Sequence, residues 1–288
     1  MALPLLAAAA VAAGPAGPAA PAAPPGTVAA PLAYAARAGD GGRTVLADDP
    51  AGSGRVVEVI GDLAAADDIA VVVPGSGQNR ENFHASAANP GTVPLDNGRA
   101  LHAAMRDRRP DRAAAVVVWL GYLPPQRVDA EAVTTTRAAV GAAELARFGR
   151  DHLPGGAHVT LVCHSYGSTV CGLAAREAGV ADDVVALASP GMGVDGAGEV
   201  RARVWATRAD DDWIRFVPSF SAGVLGLGGD PMDPAFGART FSAGDASGHE
   251  QYYRRGGAAL AGIAAIAAGA APPTTRPGDG APDAEGPA

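Results

Sequence analysis

Residues 161–170 read LVCHSYGSTV, an apolar run that ends in His164-Ser165-Tyr166-Gly167 and continues into small residues. A serine on a sharp turn between a strand and a helix holds its hydroxyl clear of the backbone, as a serine nucleophile requires. Such turns usually read Gly-x-Ser-x-Gly; here Cys163 stands at the first glycine position. A hydroxyl is a weak nucleophile at neutral pH, so an imidazole must accept its proton and an acid must orient that imidazole. His249, in a polar stretch near the end of the chain, is the candidate base. Asp212, in the run Asp210-Asp211-Asp212-Trp213-Ile214, is the candidate acid; Asp211 is the alternative within the run and Asp230 an outside one. The chemistry these types support is acyl transfer through a serine-bound intermediate. Its oxyanion needs preorganised N–H donors. The amide of Tyr166, directly after the serine, and that of Ser76, after Pro74-Gly75, are the candidates.

Competing readings apply to the same residues. Ser165 could merely cap a helix, and three consecutive aspartates could be a solvated turn. His164 adjoins Ser165, but a neighbour at a sharp turn points away from the hydroxyl, so a structural or pocket-lining role is expected. His84, His102, His152 and His158 lack ligand-like spacing, so no metal site is expected. Gly75-Ser76-Gly77 lacks the Gly-Lys-[Ser/Thr] ending of a phosphate loop, and no cofactor is implied. Trp119 and Trp205 fall in apolar strands and read as core, whereas Trp213 could wall the site.

The elements that must position these groups alternate. Residues 43–48 and 55–61 are β-branched runs around the turn signal DPAGSG, a hairpin. Continuous apolar strands are expected at 69–74, 113–122, 158–165 and 183–191, with further strands at 203–210 and 239–244. Continuous apolar runs suit strands covered on both faces, as in a parallel sheet between helices. Helices are expected at 98–108, 129–151, 167–178 and 257–268. The fold class is therefore α/β with a mostly parallel sheet and an antiparallel edge. Ser165, the aspartates and His249 each follow a strand, where ligand sites of such sheets lie. Their order, Ser then Asp then His, is that of the α/β-hydrolase triad. Residues 78–97 and 218–234 read as loops over the same edge and could shape an acyl pocket.

The stretch from about residue 43 to about 266 resembles an actinobacterial α/β-hydrolase family of unknown specificity. The matching pieces are VVVPGSG at 71–77, VVVWLGYLPP at 116–125, HVTLVCHSYGS at 158–168, ASPGMGV at 188–194, DWI at 212–214 and GHEQYY at 248–253. DP at 230–231 and FGA at 236–238 belong with them. The resemblance implies an α/β-hydrolase fold with Ser165 as nucleophile, Asp212 as acid and His249 as base. Cys163 departs from its pattern.

Bulk properties bound the rest. The chain has 288 residues, 48% of them apolar, with a net charge of −8. All 22 basic residues are arginine. An acidic chain without a clustered basic face argues against a nucleic-acid binder. Residues 1–40 read as an Ala/Pro-rich leader, with 3–13 resembling the apolar core of a secretion signal that lacks its charged start. That reading implies export, and cytoplasmic residence is the alternative. The run is too short for a stable membrane span. Residues 41–270 form the hydrolase-like domain and 271–288 a disordered tail. Cys163 and Cys171 flank the serine turn, and a disulfide between them requires Cα atoms within about 7 Å. The leading expectation is a serine esterase acting on a small-molecule acyl substrate. Its alternatives are an acyltransferase using the same three residues, or a non-catalytic hydrolase-like binding protein. Oligomeric state is left open.

Overall fold

A computed structural model describes residues 30–272. The signal-like segment and nearly all of the expected tail lie outside that range. A single nine-stranded sheet organises the chain. Its strands are β1 (Arg37–Ala38), β2 (Thr44–Asp49), β3 (Arg55–Ile60), β4 (Asp68–Val73), β5 (Ala114–Leu120), β6 (His158–His164), β7 (Asp183–Leu187), β8 (Arg203–Thr207) and β9 (Arg239–Thr240). The spatial order is β1-β2-β3-β5-β4-β6-β7-β8-β9. From β5 to β9 all neighbours are parallel, while β1, β2 and β3 form the antiparallel edge. The expected hairpin is thus present as β2–β3.

Four helices cover the sheet: α1 (Pro94–Arg108), α2 (Thr136–His152), α3 (Gly167–Ala174) and α4 (Ala258–Ala267). α1 packs with α4 and α2 with α3. Right-handed crossovers put one pair on each face. Every residue of β4 and β7 is buried, which accounts for their uninterrupted apolar runs. Trp119 is in this core, and Trp205 is also buried.

Three local differences from the sequence reading have physical causes. The helix expected from residue 129 begins at Thr136. Residues before it are held in a loop because the Thr135 amide donates to the Val224 carbonyl and the Gly226 amide to the Val133 carbonyl. α3 stops at Ala174, short of the expected end at 178. The stretch read as leader joins the sheet early: Leu32 is buried, and the Tyr34 hydroxyl donates to Glu144 at 2.9 Å.

A charged seam runs along the N-terminal ends of the parallel strands, opposite the expected site. Asp68 accepts from Arg112 at 2.6 Å. Asp183 takes hydrogen bonds from His158 at 2.8 Å, Arg203 at 2.6 Å and the Trp205 indole at 2.7 Å. Burial alone would raise the Asp183 carboxyl, but these donors outweigh it and hold it at about 2.

Candidate active site

β6 ends at His164 and α3 starts at Gly167, so Ser165 and Tyr166 form the turn between them. Ser165 sits at φ 53, a left-handed conformation that strains any residue with a Cβ. Hydrogen bonds on both sides hold it there. Its amide donates to the Leu187 carbonyl of β7 at 2.9 Å. Its carbonyl accepts from the Ser168 amide at 2.9 Å and the Ser168 hydroxyl at 2.6 Å. Two glycines make room for the turn. A Cβ on Gly75 would lie 2.8 Å from the Ser165 Cβ, and one on Gly167 would lie 2.4 Å from the Val73 carbonyl oxygen. The end of β4 therefore presses directly on the serine turn.

The same construction repeats one strand over. Ala188, just after β7, adopts φ 50. Its amide donates to the Thr207 carbonyl of β8, and the next residue, Ser189, shares a 2.6 Å hydroxyl–hydroxyl hydrogen bond with Ser168.

Cys163 and Cys171 form a disulfide, with Cα atoms 6.5 Å apart. Both are fully buried. The residue at the unusual first position of the turn is thus half of a cross-link from β6 to α3 that encloses Ser165.

After β8 the aspartate run divides its work. Asp211 accepts from the Ser247 hydroxyl at 2.5 Å and the Gly248 amide at 2.7 Å, which ties down the loop that carries His249. Asp212 is completely buried and accepts from His249 Nδ1 at 2.8 Å. Its carboxylate also takes the Ile214 amide at 3.0 Å and the Tyr252 hydroxyl at 2.8 Å. Burial pushes the Asp212 carboxyl up, but the His249 and other hydrogen bonds outweigh it and leave it below the ordinary value. Asp230 pairs instead with Arg208 at 2.9 Å.

With Nδ1 donating to a carboxylate, the His249 Nε2 edge is the proton-accepting one. The imidazole is further located by its surroundings. His164 Nε2 lies 2.6 Å from the His249 carbonyl, which can only accept, so the His164 proton sits on Nε2. Burial, then the nearby His249, depress His164 to about 3, so it stays neutral. The Trp213 ring lies 4.9 Å from the His249 ring, as the wall reading of that tryptophan anticipated.

Both expected donors lie idle. Neither the Ser76 amide nor the Tyr166 amide donates to a protein acceptor within the described residues. The Ser165 hydroxyl also makes no hydrogen bond within them. Tyr252 and the His164–His249 bond were not anticipated; the available signal was the tyrosine three residues after His249 in GHEQYY.

Among the described residues no cluster of three or more His, Cys, Asp or Glu has metal-binding geometry, and no helix is long and apolar enough to cross a membrane.

A family model described as alpha/beta hydrolase matches residues 49–222. Two curated relatives from Mycobacterium tuberculosis, uncharacterized protein Rv2079 (strain H37Rv) and uncharacterized protein MT2140 (strain CDC 1551), are each 30% identical over 258 residues. The match covers 76% of this chain and 37% of theirs, so the chain spans little more than a third of their length. Among solved structures, dienelactone hydrolase from Anabaena variabilis is 16% identical, with a TM-score of 0.46 over 75% of this chain and 90% of that one. XC6422 from Xanthomonas campestris, described as an a/b serine hydrolase without lid, is 17% identical, with a TM-score of 0.44 over 81% and 91%. By the family match over residues 49–222, together with its mostly parallel helix-covered sheet, this chain belongs to the α/β-hydrolase family.

Proposed function

We propose that the chain is a serine hydrolase of carboxylic esters, with Ser165 as nucleophile, His249 as base and Asp212 as the acid that orients it. The observation that carries this reading is the His249 Nδ1–Asp212 bond of 2.8 Å, which commits one imidazole nitrogen to a buried carboxylate and leaves the other to exchange protons. The strained Ser165 turn and the undonated amides of Ser76 and Tyr166 support it.

In the proposed reaction Ser165 Oγ attacks the ester carbonyl carbon as its proton passes to His249 Nε2. The carbonyl oxygen becomes the oxyanion and accepts from the Ser76 and Tyr166 amides; a single donor of this kind is worth about 10²–10³ in kcat. The intermediate collapses, the C–O bond to the alcohol breaks, and His249 returns the proton to the departing alkoxide. Water, deprotonated by His249, then attacks the acyl-serine. The carboxylic acid leaves and Ser165 regains its proton. Asp212 remains ionised throughout and stabilises the imidazolium.

A fluorophosphonate probe tests the nucleophile. Folded wild-type protein should be labelled at Ser165 with loss of esterase activity, and Ser165→Ala should neither label nor turn over. Undiminished turnover by Ser165→Ala refutes the assignment.

A further inference from the structure

Exposed large hydrophobic side chains among the described residues are confined to two stretches of the chain. All eight of them among the described residues fall at 128–140 or 213–225, in the segments that follow β5 and β8. Phe216 is 77% exposed, Val224 60% and Leu225 53%. A few scattered apolar residues on a surface need no explanation, but a concentration on one rim does.

The two segments form one surface. Thr134 and Leu225 bridge antiparallel, with the Thr135 amide donating to Val224 at 3.0 Å and the Gly226 amide to Val133 at 2.9 Å. The Gly193 amide anchors the foot of the second segment through the Leu227 carbonyl at 2.7 Å. Since these backbone groups satisfy one another, the strip offers its side chains outward.

At both ends the strip adjoins residues that border the proposed site. The Tyr166 hydroxyl donates to the Thr134 carbonyl at 2.6 Å, and the Tyr166 amide is one of the two proposed oxyanion donors. At the other end the Trp213 ring lies tilted against the His249 ring, centroids 4.9 Å apart, and Phe216 follows on the same short helical turn. A protein partner seated here would cover His249 and block turnover. The occupant that fits the position is therefore the molecule being turned over.

We propose that the substrate is an ester with a long, unbranched apolar acyl chain, held along the strip formed by Phe216, Phe220, Val224 and Leu225. This rests on the Ser165 hydrolase reading. Apolar area removed from water scales with chain length, so each methylene laid on the strip should raise kcat/KM by about two- to fourfold.

The test uses the full chain and p-nitrophenyl esters from acetate to decanoate, each below its critical micelle concentration. The expected result is a kcat/KM that climbs along the series. The decanoate-to-acetate ratio should collapse in Phe216→Ser/Phe220→Ser/Leu225→Ser, and fall in the single variant Phe216→Ser, whose ring is mostly in water. The ratio is internal to each protein, so partial loss of folded enzyme does not move it. In a second arm, Ser165→Ala should bind decanoate at least tenfold more tightly than butyrate by calorimetry, with the difference lost in the triple variant.

A flat or falling series with Ser165 still labelled by fluorophosphonate overturns the strip and keeps the hydrolase. No labelling, together with strip-dependent decanoate binding, overturns the hydrolase and keeps the strip. Turnover that rises only above the micelle concentration assigns the strip to a lipid surface, and a dimer split by the triple variant assigns it to a second copy; either overturns the proposal.

Discussion

Removing the Cys163–Cys171 cross-link tests how the serine turn is held. The perturbation is Cys163→Ala/Cys171→Ala, which keeps both buried sites apolar and small. The bridge spans a sequence separation of 8. For a loop of about that length, the denatured chain gains entropy worth about 2.5 kcal/mol at 25 °C when the bridge is lost. In a domain of this size that lowers Tm by roughly 5–10 °C. The catalytic effect should be separate and larger than the thermal one implies. Ser165 occupies a conformation that costs of order 1–3 kcal/mol and persists only where its surroundings over-determine it. Without the bridge the start of α3 can relax away from the end of β6, so fluorophosphonate labelling of Ser165 slows even at 25 °C, where the variant is folded. The assays are differential scanning calorimetry and the labelling rate, with intact mass before and after reduction to count thiols in the wild type. Because both sulfurs are fully buried, reductant should act on the wild type only when denaturant is added. An unchanged Tm and labelling rate in the double variant would refute the reasoning, as would two free thiols in protein made in an oxidising compartment.

Further outcomes follow from the same geometry. Asp212→Asn should leave the fold intact and lower kcat by about 10⁴-fold, because the amide cannot stabilise the imidazolium; Asp211→Asn, which only loosens the Ser247–Gly248 turn, should cost within about tenfold. Tyr252→Phe removes a hydrogen bond to a buried carboxylate and should lower kcat/KM by about 10- to 100-fold with little change in KM. At the far end of the strands, Asp183 is held at about 2 against an ordinary 3.8, so its contribution is present above about pH 4 and lost as pH falls towards 2. It amounts to roughly 2 kcal/mol, so urea titrations should show Asp183→Asn markedly less stable than wild type at pH 6, with the gap closing near pH 2. His158 is shifted the other way, chiefly by its hydrogen bond to Asp183; its own contribution is present below about pH 6.5 and fades as pH rises through its higher folded value. His158→Ala should therefore lose more stability at pH 6 than at pH 9.

The strands were legible because a parallel sheet covered on both faces demands uninterrupted apolar runs, and chains such as Ile69–Val73 have no competing use. The order of the candidate residues was legible because Ser165 directly follows β6 and Asp212 and His249 lie on the loops after β8 and β9. Within Asp210-Asp211-Asp212 the sequence favoured Asp212 and left Asp211 as the alternative. Spatially it rests on the turn at 209–212, which buries Asp212 toward His249 and turns Asp211 out to Ser247. Residues 129–135 carried a helical pattern, but long-range pairing with Val224 overrode local preference there. Tyr252 and His164 were hidden for a related reason: their partners lie 40 and 85 residues away, and no local pattern announces such a contact.

The paired left-handed turns at Ser165 and Ala188, joined through the Ser168 and Ser189 hydroxyls, make the tips of β6 and β7 a single block fixed to the sheet. The position of Ser165, the proposed nucleophile, is thus referenced to the scaffold through β6 and β7. The apolar segments after β5 and β8 hang from that block without carrying it. Evolution, or an engineer, can lengthen, shorten or recolour them while the Ser165 hydroxyl keeps its address.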